Sequence, residues 1–222
     1  MGNLKRTRRW RKRLTSGELG YVSKFCGEPA VESSNKDSNL DVSSYLDLKE
    51  KLIELGYADE IDWAENIQIC GNADDFFGEY LWVVLNSGMK NQIARQIETK
   101  IYEAWKRGES TSSAFGHKGK ADAIEYVKNN REDIYNRYLQ AENKIDFLQS
   151  LPWIGSITKW HLAKNLGFDC CKPDRHLMRI ATQHNTTPEE LCKKIAAETG
   201  DRIATVDLVI WRAANLGLIK TK

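Results

Sequence analysis

Residues 145–180 decide the fold, and they read IDFLQSLPWIGSITKWHLAKNLGFDCCKPDRHLMRI. Early in this stretch, Leu151-Pro152-Trp153-Ile154-Gly155 ends one helical segment and a new helix begins at Ser156, because proline and glycine favour a sharp turn. The pattern predicts a helix-hairpin-helix motif at about residues 145–166. Backbone N–H groups at the start of its second helix are suited to hold a DNA phosphate without reading base sequence. An ordinary corner between two helices would use the same residues, so the hairpin alone does not define a function.

A second motif, Lys172-Pro173-Asp174-Arg175-His176, follows the hairpin. Together the two motifs resemble the signature of helix-hairpin-helix (HhH-GPD) DNA glycosylases of the endonuclease III-like type, in which a Leu-Pro-x-Ile/Val-Gly hairpin precedes Asp-x-His. The resemblance covers about residues 65–216. It implies an all-α, bilobal helical fold whose cleft holds a base flipped out of duplex DNA. It also implies that Asp174 is the catalytic carboxylate at the mouth of that cleft.

A carboxylate is suited to the chemistry that the resemblance implies for Asp174. Cleavage of an N-glycosidic bond builds positive charge on the sugar, which a neighbouring anion stabilises, and the same anion can deprotonate attacking water. A position near the start of a helix favours the ionised form of this side chain. Taken by itself, an aspartate at such a position is more commonly a helix cap, so the catalytic role depends on the surrounding motif.

Other residues of the two motifs are candidate DNA contacts. At the hairpin these candidates are Trp153, Gly155, Ser156, Thr158 and Lys159. After the hairpin, Arg175 is a candidate for contact with the DNA backbone. His176 is predicted to order the Asp174 turn or to meet a phosphate, because in the family motif the acid carries the chemistry. Double-stranded DNA containing a modified base is therefore the expected partner.

Residues 83–89 resemble the base-wedging loop of the same enzymes. Gly88 stands where a long polar side chain often fills the gap left by the extruded base. Because extrusion costs about a few kcal/mol, some side chain is expected to fill that gap, and Asn86 and Met89 are the other candidates for wedge or pocket. Stacking surfaces for a base pocket are offered by several tryptophans, among them Trp82, Trp105 and Trp211.

Three departures from the family pattern bear on the reaction. Members that also nick the DNA strand carry a lysine at the position of Ile157, and an aliphatic side chain cannot form an imine with the sugar. The prediction is a monofunctional glycosylase that leaves an abasic site, unless Lys159 or Lys172 takes over this role. Trp153 replaces the first hairpin glycine. The family's C-terminal cluster of four cysteines is missing, and the five cysteines of this chain lack ligand spacing, so no cofactor or metal is expected.

Charge is unevenly distributed along the 222 residues. Residues 1–13 hold seven basic and no acidic side chains, and residues 150–222 hold eleven basic and seven acidic ones, although the net charge is only +2. Such asymmetry suits a polyanionic partner. The expected organisation is a basic N-terminal arm and polar linker over residues 1–40, followed by a bilobal helical glycosylase domain over residues 41–222.

Hydrophobic residues recur at helical spacing through most of the chain, and no segment alternates as a strand does. The expected helices include one capped by Asn72, one opened by Thr187 and Pro188, and one over residues 131–148. No apolar run approaches the roughly 18–20 residues that a membrane span needs, and the basic N-terminus lacks the apolar core of a secretory signal. We therefore expect an intracellular, monomeric protein that binds no membrane.

Two functions other than base excision in DNA repair fit the same residues. Phage-associated relatives of the glycosylase fold are proposed to transfer amino groups onto hypermodified thymine without breaking the sugar bond, and Asp174 alone does not exclude this reaction. The second alternative is a non-catalytic protein that uses the hairpin only to contact DNA, and it predicts that Asp174→Asn leaves function intact. Detectable release of a base distinguishes a glycosylase from both.

Overall fold

The structure is a computed structural model that describes residues 40–219. Within this range the chain forms helices and no strand, which confirms the all-α prediction for the described residues. The helices are α1 (Val42–Leu52), α2 (Ala58–Asn66), α3 (Ala73–Asn86), α4 (Asn91–Lys106), α5 (Thr111–Ala114), α6 (Lys118–Asn129), α7 (Arg131–Gln140), α8 (Lys144–Ser150), α9 (Thr158–Asn165), α10 (Arg175–Gln183), α11 (Pro188–Thr199) and α12 (Ile203–Asn215). A π-helical turn, Ile53–Tyr57, joins α1 to α2.

Two helix starts follow the capping residues that the sequence predicts. The side chain of Asn72 accepts a hydrogen bond from the Asp75 N–H at 2.8 Å and begins α3. Thr187 and Glu190 form a capping box at the start of α11, with Pro188 in the first turn. These local signals act within one helical turn, so the sequence alone is enough to locate them.

The predicted helix over residues 131–148 is broken in two, and this prediction is wrong in length. Helix α7 ends at Gln140, and Asn143 starts α8 by accepting hydrogen bonds from the N–H groups of Ile145 and Asp146. The Lys144 ammonium group donates to the carbonyl oxygens of Leu139 and Ala141, which the helix end leaves without partners. The break turns α8 into the first helix of the hairpin.

The first lobe is built around α3, which is almost wholly buried. Helices α4, α6, α7 and α9 pack around it. Its core consists of large aromatic and aliphatic side chains that include Phe76, Tyr80, Leu81, Leu85, Ile101, Ile124, Leu148 and Leu162. Burial of each such side chain contributes about 1.5–3 kcal/mol, so this cluster holds α3 in place as the central element of the lobe.

The second lobe combines the first helices of the described chain with the last three. Helix α12 packs against α1, α2, α10 and α11 around a separate core of buried side chains that include Tyr45, Leu52, Leu177, Ile180, Val206, Val209 and Ile210. Leu40, at the predicted boundary of the linker, is buried in this core, and its N–H donates to His184 Nε2 at 3.0 Å. Two separate cores confirm the bilobal prediction. The predicted basic arm, residues 1–39, lies outside the described residues.

The chain crosses between the lobes twice, and the two crossings are bonded to each other. The Cys70 N–H donates to the Leu166 carbonyl oxygen at 3.0 Å. The Arg202 guanidinium group, at the start of α12, donates to carbonyl oxygens on both crossing segments, those of Ala64, Ile67 and Gly167. Because backbone groups are held on both sides, the lobes meet in a fixed arrangement at this point.

Gly167 allows the two crossings to approach closely, and Gly167→Ala is expected to destabilise the fold. A Cβ atom here would lie 2.7 Å from the Cα of Ile69, and the residue has φ +100°. The left-handed backbone conformation and the overpacking together predict that the free energy of unfolding falls by about 2–5 kcal/mol. Gly200→Ala is the matched control, because Gly200 also has positive φ (+79°) but nothing lies within 4 Å of a Cβ atom there. Equal falls in unfolding free energy for the two variants would contradict this account.

Candidate nucleic-acid interface and active site

The hairpin between α8 and α9 is anchored to the first lobe. The Tyr80 hydroxyl on α3 donates to the Pro152 carbonyl oxygen at 2.9 Å. Leu151 and Ile154 are buried in the lobe's core, whereas Gly155 and Ser156 are exposed. The predicted helix-hairpin-helix is therefore present, with its tip facing solvent.

Helix α9 begins at Thr158, two residues later than predicted. The Thr158 hydroxyl accepts a hydrogen bond from the Gly155 N–H at 2.7 Å, which closes an irregular turn over Ser156 and Ile157 before the regular helix starts. This bond occupies the N–H of Gly155. Ser156 and Ile157, which follow it in the turn, are exposed.

Trp153 takes the left-handed conformation that a glycine would adopt in the hairpin, with φ +62°. Its indole N–H donates to the Gly119 carbonyl oxygen at 2.9 Å, and its ring meets the His117 ring edge-on at a centroid distance of 5.0 Å. The side chain remains 48% exposed. Trp153 therefore braces the hairpin against the start of α6 and still presents one ring surface to solvent.

Lys159 is bound within the hairpin itself. Its ammonium group donates to Gln149 Oε1 at 2.6 Å and lies 3.6 Å from a carboxylate oxygen of Asp146, both on α8. The side chain thus joins the two helices of the motif. It does not line the cleft that lies between the two lobes.

A cleft of about 770 Å³ lies between the lobes. One wall comes from α3 and α4, and the other from α2, α12 and the segment that precedes α10. The residues that line the cleft include Glu60, Trp63, Asp75, Glu79, Trp82, Asn86, Lys164, Asn165, Lys172, Asp174, Asp207, Trp211 and Arg212. The volume is ample for one flipped nucleotide.

The part of the first-lobe wall that α3 supplies is a single face of that helix. Asp75, Glu79, Trp82 and Asn86 recur at intervals of four, three and four residues, which places them on one side of a helix. Glu79 is buried and accepts a hydrogen bond from the Asn165 amide at 2.9 Å. A carboxylate on an otherwise apolar, buried helix was the signal in the sequence that pointed to this wall, and the sequence analysis missed it.

Asp174 lines the cleft from the second lobe and is also the N-cap of α10. One carboxylate oxygen, Oδ1, accepts hydrogen bonds from the N–H groups of His176 at 2.9 Å and Leu177 at 3.1 Å. These bonds fix the carboxylate at the positive end of the helix. The side chain is therefore a helix cap, as a position at a helix start predicts, and it also lines the cleft; its catalytic role stays a prediction.

His176 and Arg175 lie beside Asp174 but do not line the cleft. The Arg175 Nε–H donates to His176 Nε2 at 3.4 Å, and His176 Nδ1 is buried without a hydrogen-bond partner among the described residues. Arg175 is exposed on the outer face of α10. The arrangement separates these two residues from the place where a base would be held.

Lys164 and Asp207 form a buried ion pair at the floor of the cleft. The Lys164 ammonium group donates to Asp207 Oδ2, and the two residues are 8% and 2% exposed. Burial opposes the charge of Lys164, but the attraction of Asp207 and their hydrogen bond outweigh it and raise the pKa of the lysine. The sequence analysis had not distinguished this lysine from surface cations.

Lys172 lines the same cleft two residues before Asp174. Its backbone N–H donates to Asp207 Oδ2 at 3.2 Å, which ties this segment to the buried ion pair. Burial lowers the pKa of the Lys172 ammonium group; the attraction of Asp174 opposes the shift, and the nearby charge of Lys164 adds to it. The side chain forms no hydrogen bond or ion pair with any residue between 40 and 219.

The second-lobe wall adds aromatic surface and a second ion pair. Arg212 donates through two nitrogens to the Glu60 carboxylate, with the closest contact at 2.5 Å. The guanidinium group also lies 4.7 Å from the ring centre of Trp211, which lines the cleft together with Trp63. These indole rings are suited to stack on a base. Of the tryptophans that the sequence suggested, Trp82 and Trp211 line the cleft, and Trp105 packs against Phe77 in the first lobe.

The candidate wedge residues occupy the turn after α3. Asn86 is the last residue of α3 and lines the cleft. Gly88 is exposed with φ +72°, and Met89 packs against the core of the first lobe. The Lys120 ammonium group holds the turn by donating to the carbonyl oxygens of Val84 and Ser87. Of the three candidates, Asn86 alone combines a polar side chain with a place on the cleft wall.

Over residues 40–219 no group of histidine, cysteine, aspartate and glutamate side chains is arranged to hold a metal ion. Within the same range no helix has the length and apolar character needed to cross a membrane.

Comparison with known proteins identifies a shared fold. No family model and no curated protein matches the sequence. Among solved structures, the chain is similar to the 8-oxoguanine glycosylase/lyase of Methanocaldococcus jannaschii, crystallised in complex with a 15mer DNA containing 8-oxoguanine. The identity is 19%, the TM-score is 0.56, and the alignment covers 82% of this chain and 98% of that one. The chain therefore has the helix-hairpin-helix glycosylase fold, as its two motifs predict.

Proposed function

We propose that this protein is a DNA N-glycosylase that hydrolyses the bond between sugar and base at a modified nucleotide flipped out of duplex DNA. The observation that carries this proposal is the position of Asp174. Its carboxylate is fixed by two backbone N–H groups and lines a cleft between the lobes that is lined with tryptophans. A fixed anion beside the sugar stabilises the positive charge that develops as the glycosidic bond breaks.

Water, and not an amine of the hairpin, displaces the base in this proposal. Ile157 is an exposed aliphatic side chain, and Lys159 is held by Gln149 and Asp146 on α8. Neither offers a free amine to the cleft. The product of the reaction is therefore an intact strand with an abasic site, although the similar archaeal structure is described as a glycosylase/lyase.

The DNA duplex is proposed to lie across the hairpin and the mouth of the cleft. The exposed backbone at Ser156 and Ile157 offers N–H groups to a phosphate, and Trp153 offers a ring surface beside them. Asn86 lies on the first-lobe wall of the cleft, opposite the wall that carries Asp174, and we assign to it the filling of the gap that the flipped base leaves. The hairpin and Asn86 belong to the first lobe and Asp174 to the second, so one chain supplies every contact, which suits a protein that acts as a monomer.

The test of this function is base release from duplex oligonucleotides, each carrying one alkylated, oxidised, deaminated or hypermodified base. We expect mass spectrometry to detect one class of free base, and strand breaks at that site only after hot alkali. Breaks without alkali would contradict hydrolysis by water alone. Tight binding of the duplexes with no free base would instead favour the non-catalytic alternative, and a mass change on a retained base would favour the transferase.

A further inference from the structure

We propose that the side-chain amine of Lys172 captures the abasic product by forming a reversible imine with C1′ of the ring-opened sugar. This inference rests on the proposed function, because an abasic site in the cleft is the product of base release. It assigns a covalent step to Lys172, which lies outside the hairpin. The family pattern instead places its reactive lysine within the hairpin. The step adds retention of the product to the activity proposed above.

The location of Lys172 brings its amine to the reacting sugar. Lys172 and Asp174 line the same cleft and are separated by one proline in the chain. The segment is anchored on both sides, by the bond from the Lys172 N–H to Asp207 Oδ2 at 3.2 Å and by the Asp174 side chain in its cap. If Asp174 faces the sugar during base release, the aldehyde that appears at C1′ afterwards is formed beside Lys172.

The surroundings of Lys172 favour a reactive amine. An amine attacks a carbonyl only when it is neutral, and a lysine becomes neutral more readily when it is buried or lies near a second cation. Both conditions hold here, because Lys172 is partly buried in the cleft and the charged Lys164 lies nearby. These effects lower the pKa of Lys172 even though Asp174 attracts its charge.

Other lysines near the site are already committed to partners. Lys164 is paired with Asp207, Lys159 is bound to Gln149, and Lys120 donates to two carbonyl oxygens. Lys172 makes no such bond with the residues described here. It is therefore the lysine of the described cleft whose amine is available for reaction.

The chemistry balances without an oxidant or a reductant. The Lys172 nitrogen forms a bond to C1′, the aldehyde oxygen takes up two protons and leaves as water, and a carbon–nitrogen double bond results. The two protons come from the neutral amine, and we assign their transfer to the leaving oxygen to Asp174, which lines the same cleft. Addition of water reverses each bond change, which returns the free amine and an intact abasic strand. Loss of the C2′ proton from the imine, with departure of the 3′ phosphate, would instead break the strand, and strand breaks without alkali would reveal it.

The test is borohydride reduction of the full-length protein mixed with duplex DNA that already contains an abasic site, since the reagent converts an imine into a stable amine. Wild type is expected to give a covalent protein–DNA complex, and Lys172→Gln and Lys172→Arg are expected to lower its yield at least tenfold. The arginine variant keeps the positive charge but cannot form the imine. Lys193→Gln is the matched control, because Lys193 is an exposed lysine paired with Glu189 on α11 and should trap as wild type does.

Peptide mass spectrometry of the trapped complex should locate the adduct on Lys172. No reducible complex from wild type, unchanged trapping by both Lys172 variants, or an adduct on another amine would each overturn the inference. Its failure is distinguishable from failure of the glycosylase function, because the abasic substrate requires no base recognition. Base release without trapping would contradict only the imine proposal. Trapping at Lys172 without base release would contradict only the proposed glycosylase function.

Discussion

Asp174→Asn is expected to lower the rate of base release about a thousandfold. The amide that replaces the carboxylate carries no charge, so it can neither stabilise positive charge on the sugar nor accept a proton from attacking water. Loss of one fixed electrostatic group at a transition state typically costs about 10²–10³ in rate, and Asp174 is proposed to supply two such effects. The measurement is single-turnover release of the base identified in the oligonucleotide panel.

The folded structure should tolerate this change, which makes the result interpretable. Asparagine is as good an N-cap as aspartate, and its amide oxygen can accept the same hydrogen bonds from the N–H groups of His176 and Leu177. The melting temperature and the affinity for abasic duplex should therefore stay close to those of wild type. Asp41→Asn is the matched control, because Asp41 caps α1 outside the cleft. Near-wild-type base release by Asp174→Asn would show that Asp174 is not the catalytic carboxylate.

The parts of the site that could be predicted from the sequence are those encoded within short segments. Pro152 and Gly155 identify the hairpin, and Lys172-Pro173-Asp174 with His176 identifies the helix start that carries the carboxylate. In both cases a few neighbouring residues determine the backbone conformation, so the sequence alone is enough to identify the feature. The difference of two residues in the start of α9 arises from the bond between Gly155 and Thr158, which holds an irregular turn before the helix.

The walls of the cleft could not be predicted in the same way, because they join residues that are far apart in the chain. Glu79 on α3 meets Asn165 on α9, and Glu60 on α2 meets Arg212 on α12. Apart from Glu79, which stands out among the apolar residues around it, each partner alone looks like an ordinary polar residue on an amphipathic helix. Only the packing of the two lobes shows that these pairs are buried and face the same cavity.

The burial of Lys164 is a second feature that a local sequence pattern could not predict. In the sequence Lys164 is one of several lysines after the hairpin, and its neighbours do not distinguish it from a surface lysine. In the structure it points inward, because helix α9 packs against α3 and the carboxylate of Asp207 lies across the interface between the lobes. A buried lysine differs from a surface lysine only through a partner on a distant helix, which no local pattern reveals.

Lys164→Met is expected to destabilise the protein by about 3–5 kcal/mol, because it leaves the carboxylate of Asp207 buried without its cation. Methionine has a similar length, so the loss comes from the unpaired charge rather than from an empty cavity. For a chain of this size the change corresponds to a fall in melting temperature of roughly 10 °C or more. Thermal and urea unfolding measure it, with Lys193→Met as a control on an exposed ion pair.

The double variant Lys164→Met with Asp207→Leu tests whether the cost comes from the lone charge. Removal of both charges abolishes the need to solvate either one, so the double variant should be more stable than Lys164→Met alone. It should not recover base release or imine trapping fully, because Asp207 also holds the Lys172 N–H and thereby positions the segment before Asp174. Additive losses from the two substitutions would mean that the pair contributes no coupling energy. In that case the floor of the cleft would depend on packing alone.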